Sequence, residues 1–161
     1  MKYSWIDYEP DSMCYVEEWL DEEARRQTGM EEGGWRAEYE YWTNKDGNTP
    51  EFDCMEQGTN YWNKIIFQNC VPVGIIELSF YEGNLHVMEI LVAPTLRGLG
   101  HGTDILKELM YDCESVLGKK VCSMDAVVFS NNAASRKAFE KAGYSVKSED
   151  LENKSLSYQW A

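Results

Sequence analysis

Hydrophobic positions along the chain follow two periods. Residues 16–27 carry Val16, Trp19, Leu20 and Ala24 among acids, the spacing of one buried helical stripe, with Asp11 or Ser12 placed to cap its start. A second helical stretch, 34–42, sets Trp35, Tyr39 and Trp42 on its apolar side and ends at the turn-forming run Asn44-Lys45-Asp46-Gly47-Asn48. Residues 44–59 are polar and read as a loop. From residue 61 the pattern becomes extended. Runs at 61–68, 73–81 and 86–92 are rich in β-branched and aromatic residues and are punctuated at 69–72 and at Glu82-Gly83-Asn84, which predicts an antiparallel meander.

Pro94 stops the third run, and the helical period returns at 102–117, where Ile105, Leu106, Leu109, Met110 and Cys113 share a face that ends at Gly118. Residues 120–129 read as a strand with an apolar end, 132–141 as a short helix closed by Gly143, and 144–160 as two further strands. Strand, helix, strand, helix in that order requires a crossover between parallel neighbours, whereas the meander pairs antiparallel. The expected fold is an α/β (α+β) domain with a mixed, mostly antiparallel central sheet flanked by helices. At 161 residues, without repeats or linkers, the chain makes one domain over 1–161.

Composition narrows the function classes. No window approaches the roughly 18 apolar residues of a membrane span, and the start MKYSWIDYEPD lacks the regions of a signal peptide, so no membrane partner and a cytoplasmic location are expected. The five cysteines, Cys14, Cys54, Cys70, Cys113 and Cys122, are scattered and read as free thiols; with only His86 and His101 as imidazoles, no metal is expected. A net charge of −13 argues against a nucleic-acid partner, because phosphate backbones need clustered Lys and Arg. The charge is uneven: residues 1–56 hold 16 acids against 5 bases, and the remainder 12 against 10. Such a field attracts cationic ligands or simply keeps the face solvated.

The chemistry centres on Arg97-Gly98-Leu99-Gly100-His101-Gly102, between a strand and a helix start. Glycines remove the Cβ atoms that would keep a ligand from the backbone, and first-turn N–H groups have no partners within the helix. A phosphate fits there, aided by the helix dipole and the Arg97 guanidinium. A P-loop would need a Gly-Lys-Ser/Thr ending, which is absent, and a G-x-G-x-x-G fingerprint starting at Gly98 meets Thr103 where its third glycine belongs. A plain turn with coincidental glycines is the remaining alternative.

The pattern Arg-x-x-Gly-x-Gly at Arg97, Gly100 and Gly102, preceded by Leu91-Val92-Ala93-Pro94, resembles the central motif of the GCN5-related N-acetyltransferase (GNAT) superfamily. Asn132, Ser135, Phe139-Glu140-Lys141 and Gly143-Tyr144 resemble its second motif, so the likeness spans 61–148. The resemblance implies a GNAT-like fold with acetyl-CoA as co-substrate: Leu91 and Val92 pairing with the pantetheine arm, residues Arg97, Gly98, Leu99, Gly100, His101, Gly102 and Thr103 holding the pyrophosphate, and Asn132 and Ser135 beside the arm. Residues 1–56 are then the acidic, helical acceptor side and 61–148 the cofactor-binding core. The reading also leaves room for a homodimer.

Acetyl transfer to an amine needs a base, because an alkylammonium has a pKa of about 10.4. His86 is the first candidate; strand alternation puts it on one face with Met88 and Ile90, and puts the second candidate, Glu89, on the other. Asp125 either contacts an amine or pairs with a lysine. Phe139 departs from the resemblance: many members have there a tyrosine that protonates the leaving thiolate, and phenylalanine cannot. Glu17, Glu18, Asp21, Glu22, Glu31, Glu32, Glu38 and Glu40, with the aromatics at 35, 39 and 42, supply a wall for a cationic acceptor such as a polyamine, an aminoglycoside or a peptide amine. The alternatives are a catalytically silent acyl-CoA sensor and an acidic protein-interaction module.

Overall fold

The computed structural model describes residues 1–30, 33–43 and 58–160. Its meander is β2 (Asn60–Gln68), β3 (Val71–Tyr81) and β4 (Asn84–Val92), followed by α3 (His101–Leu117), β5 (Ser123–Phe129), α4 (Ala133–Ala142), β6 (Ser145–Asp150) and β7 (Ser155–Trp160). With β1 (Ser4–Asp7) the strands form one sheet in the order β1-β2-β3-β4-β5-β7-β6, in which only β4 and β5 run parallel. The mixed sheet read from the sequence is therefore present.

The sheet is covered on both faces. Ile66, Ile76, Leu78, Leu85 and Val87 pack under α3 and α4 with Ile105, Leu106, Leu109 and Phe139. Ile65 and Ile75, on the opposite face, pack against Val16, Trp19, Leu20, Ala24 and Trp35. These last residues come from a 3₁₀ segment at Cys14–Trp19 and the Leu20 that follows it, from α1 (Glu22–Thr28) and from α2 (Gly34–Trp42).

The single helix expected over 16–27 is thus two pieces. Asp21 is extended at ψ 177° and its side chain accepts the Ala24 N–H at 2.8 Å, so the α-helical cap is Asp21 and not Asp11 or Ser12. Glu17 accepts the amides of Trp35 and Arg36 at 3.1 and 2.9 Å and caps α2 from the preceding segment. β1 was not anticipated from the sequence. It is held by Glu108 of α3, which is 8% exposed and accepts the Lys2 amide at 2.5 Å, the Tyr3 amide at 3.2 Å and the Trp5 indole at 2.6 Å. Three donors make burial of that carboxylate tolerable.

Four of the five cysteines are free thiols, and Cys54 lies outside the described residues, as do Glu31, Glu32 and most of the loop read at 44–59. Among the described residues no helix is long and apolar enough to cross a membrane.

Candidate active site

Two features of β4 create the site. It pairs with β5 only from Asn84–Ser123 to Val87–Ala126, although both strands continue, so they diverge toward Val92 and Phe129. The second feature is a bulge: Glu77 pairs with Glu89 and Leu78 with Val87, leaving Met88 as an extra residue. One inserted residue resets the alternation. Glu89 and His86 therefore share the face of Glu77 and Ser79, while Ile90 joins Ile76 on the other face. The expected opposition of His86 and Glu89, and the grouping of His86 with Ile90, are both overturned.

The Ala93 amide donates to Val73 O at 2.9 Å. Along an antiparallel ladder the groups then alternate: Leu91 is directed at β3, and Ile90 and Val92 turn their amides into the divergence. The Leu91 amide is thus committed to β3 and is not free to face the divergence.

The divergence opens into a cavity of about 780 Å³, within the range of small-molecule and cofactor sites. One end is formed by the loop into α3. Gly98 and Gly100 have φ of 78° and 88°, and a Cβ built on either meets no atom within 4 Å. Gly100 gives α3 no side-chain cap, and the first helical bond is Asp104 N–H to Gly100 O at 3.0 Å, so the amides of His101, Gly102 and Thr103, residues that line the cavity, have no partner within the helix. Leu99 is 68% exposed and does not line the cavity. The His101 ring is not a free surface group: its Nδ1 lies 2.9 Å from the Tyr3 hydroxyl. Asn132 and Ser135 both line the cavity, and the Asn132 side chain caps α4 by accepting the Ser135 amide at 3.2 Å.

Arg97 is engaged elsewhere than the sequence implied. Nε donates to Val92 O at 3.1 Å, Nη1 to Asp21 at 2.6 Å and Nη2 to Trp19 O at 3.1 Å. The guanidinium is a strut between the loop and the N-terminal region, and Arg97 also lines the cavity.

His86 lines the cavity at the root of the divergence. The parallel register sets it beside Asp125, and its Nδ1 lies 2.5 Å from Asp125 Oδ1. Asn84 donates to the other oxygen of Asp125 at 3.2 Å and accepts from Ser123 Oγ at 2.8 Å. Burial opposes ionisation of Asp125, but the contacts with His86 and Asn84 outweigh it and hold its carboxyl below the ordinary range. Asp125 thus pairs with the histidine and not primarily with a lysine.

Glu89 also lines the cavity and is half-buried. Burial, then the carboxyls of Glu77 and Glu38, push it well above the usual carboxylate range. Glu77, missed by the sequence reading, is fully buried and receives the Tyr61 hydroxyl. Its only advance signal was a carboxylate within an apolar strand. Phe139 is 2% exposed, with Tyr144 edge-on at 5.0 Å and Tyr158 stacked at 5.8 Å. Among the described residues no group of three His, Cys, Asp or Glu is placed to hold a metal.

The Acetyltransferase (GNAT) family model matches residues 8–144. No curated protein matches the sequence. Among solved structures the chain is similar to aminoglycoside acetyltransferase AAC(6')-Ib in complex with coenzyme A, at TM-score 0.71 and 15% identity, covering 99% of this chain and 94% of that one. It is also similar to Campylobacter jejuni N-acetyltransferase PseH, at TM-score 0.62 and 15% identity over 99% and 98% of the two chains. The ribosomal-protein-S18-alanine N-acetyltransferase from Escherichia coli aligns at TM-score 0.61 and 12% identity over 98% and 90%. At these identities the structural likeness is one of fold.

Proposed function

The chain belongs to the acetyltransferase (GNAT) family, and we propose that it moves the acetyl group of acetyl-CoA to a primary amine on a cationic small molecule or peptide. The observation that carries this reading is the cavity between β4 and β5, with open glycines and a helix N-terminus at one end and the His86–Asp125 pair at the other.

The residues present fit acetyl-CoA. The space beside Gly98 and Gly100, with the first-turn amides of α3, suits a pyrophosphate. The Ile90 and Val92 amides suit an extended arm that hydrogen-bonds like a strand, and Asn132 and Ser135 border it. Once bound, the co-substrate supplies an acetyl group already activated as a thioester.

His86 is the base. Asp125 accepts from Nδ1–H, which leaves the Nε2 lone pair to take the proton of the incoming ammonium, directly or through water. The Ile90 N–H, the nearer of the two free amides to His86, donates to the carbonyl oxygen as it gains charge, and Val92 serves the arm. Phe139 provides no proton, and the Tyr144 hydroxyl is spent on Met124 Sδ at 3.4 Å. The thiolate therefore leaves without a dedicated acid, at modest cost because a thiol pKa is about 8.5.

The described part of residues 1–56 supplies the acceptor side and 61–148 the donor core. A cationic acceptor is supported by the net charge of −13, concentrated in the first third. A thiol-release assay with acetyl-CoA and a panel of polyamines, aminoglycosides and peptide amines tests the reading. Turnover that requires a cationic amine is expected. Tight acetyl-CoA binding with no turnover on any amine overturns it in favour of a sensor.

A further inference from the structure

We propose that Glu38, Glu77 and Glu89, with Asn63 and Tyr61, form a recognition subsite for an alkylammonium group, set into the acceptor face beside the cavity. The inference rests on the acceptor reading above and gives it an address.

The subsite is assembled from four elements. β2 contributes Tyr61 and Asn63, β3 contributes Glu77, β4 contributes Glu89 and α2 contributes Glu38. Register puts the strand residues on one face, since Asn63 pairs with Glu77 and Glu77 with Glu89. The last pairing exists only because of the bulge at Met88; without it Glu89 would turn to the α3 side. Glu89 opens the subsite to the cavity, and Glu77 closes it.

A donor and acceptor count shows what is missing. Tyr61 donates its hydroxyl proton to Glu77, and the Trp42 indole donates to Glu38 at 2.5 Å. Asn63 reaches Tyr61 through its Nδ2 at 3.5 Å. Glu38 and Glu77 share a carboxyl–carboxyl hydrogen bond, and beyond it two buried acceptors, Glu77 Oε1 and Asn63 Oδ1, on side chains 0% and 4% exposed, have no partner. Buried acceptors call for donors, and a cation placed among three carboxyls would let the buried ones release their protons and ionise. An alkylammonium brings both, with three N–H groups on a compact cation. The rings of Tyr61 and Tyr39, with centroids 6.5 Å apart, add faces for the cation's alkyl stem.

Four acids of the N-terminal third are engaged within the fold. Glu17 caps α2, Asp21 caps α1 and pairs with Arg97, Glu23 pairs with Arg26, and Asp11 pairs with Arg36 at 2.7 Å. Glu38 instead faces the buried carboxyls of Glu77 and Glu89.

The test is calorimetric titration of 1,4-diaminobutane into the full chain saturated with coenzyme A, which permits no turnover. Binding is expected in the unaltered protein, with about tenfold or greater weakening in Glu77→Gln and in Glu38→Gln. Glu38 sits on a helix surface, so its variant reports even where Glu77→Gln folds poorly. Tetramethylammonium, a cation with no N–H donor, is expected to compete weakly. Absence of diaminobutane binding, or equal affinity in both variants, overturns the subsite. Failure of the acetyltransferase reading shows separately, as loss of coenzyme A binding or of thiol release.

Discussion

Arg97 donates through Nη1 to Asp21 at 2.6 Å, joining the loop that enters α3 to the residue that starts α1. The Ala24 amide first, and Arg97 next, hold the Asp21 carboxyl below its ordinary range. With Nε and Nη2 on the carbonyls of Val92 and Trp19, one side chain fixes the N-terminal region against the end of β4.

Arg97→Met should therefore act on stability more than on co-substrate binding. The ion pair is partly exposed and by itself is worth about 0–1 kcal/mol. Two backbone carbonyls also lose donors, and a total loss of about 1–3 kcal/mol is expected from urea unfolding. Acetyl-CoA affinity should change by less than about threefold, whereas a guanidinium on the pyrophosphate would make the loss about tenfold or more.

Gly100 separates charge from backbone strain. Its φ of 88° and the empty space at its Cβ position mean that Gly100→Asn and Gly100→Asp bring the same strain and nearly the same volume. Asn should weaken acetyl-CoA binding several-fold, and Asp by about a hundredfold or more, because a carboxylate would stand where the proposed site puts phosphate. Equal affinities of the two variants in calorimetry would remove the phosphates from this loop.

What was legible in the sequence is what local chemistry fixes. The glycines of 98–102, the Asn132 cap and the β-branched runs each declare a turn, a helix start or a strand from a few neighbouring residues. The features that escaped are set by distant partners. β1 depends on Glu108 of α3, the strut role of Arg97 on Asp21, and the orientation of His86 on Asp125 in the parallel neighbour strand. The bulge at Met88 had the largest effect. A single extra residue in pairing with β3 moved Glu89 to the face of His86, a change that period-two alternation has no means of showing.

The His86–Asp125 pair predicts a particular division of kinetic effects. Because Asp125 is held below its ordinary range, it stays anionic through neutral pH, and its pairing is lost only as pH falls through that lowered value. His86→Gln should lower kcat by about 10²- to 10⁴-fold, with acetyl-CoA affinity unchanged. Asp125→Asn should lower kcat without raising the KM for acetyl-CoA. Full turnover in His86→Gln would remove the imidazole from proton transfer.

Glu77 and Glu89 give stability the opposite dependence on pH from Asp125. Burial first, with neighbouring carboxyls after it, raises both well above 4.5, so the folded chain keeps protons that the unfolded chain has released. Their contribution is full below the unfolded value and is lost as pH rises through the folded values, because the unfolded state then binds fewer protons. The melting temperature should accordingly fall as pH rises above the ordinary carboxylate range. In Glu77→Gln the fall should be shallower, since the amide never ionises and Glu89 loses a charged neighbour. Thermal unfolding followed by circular dichroism across that rise in pH decides it. Parallel curves for the two proteins would mean that Glu77 is ionised in the folded chain throughout, and would leave its burial compensated by some other cation.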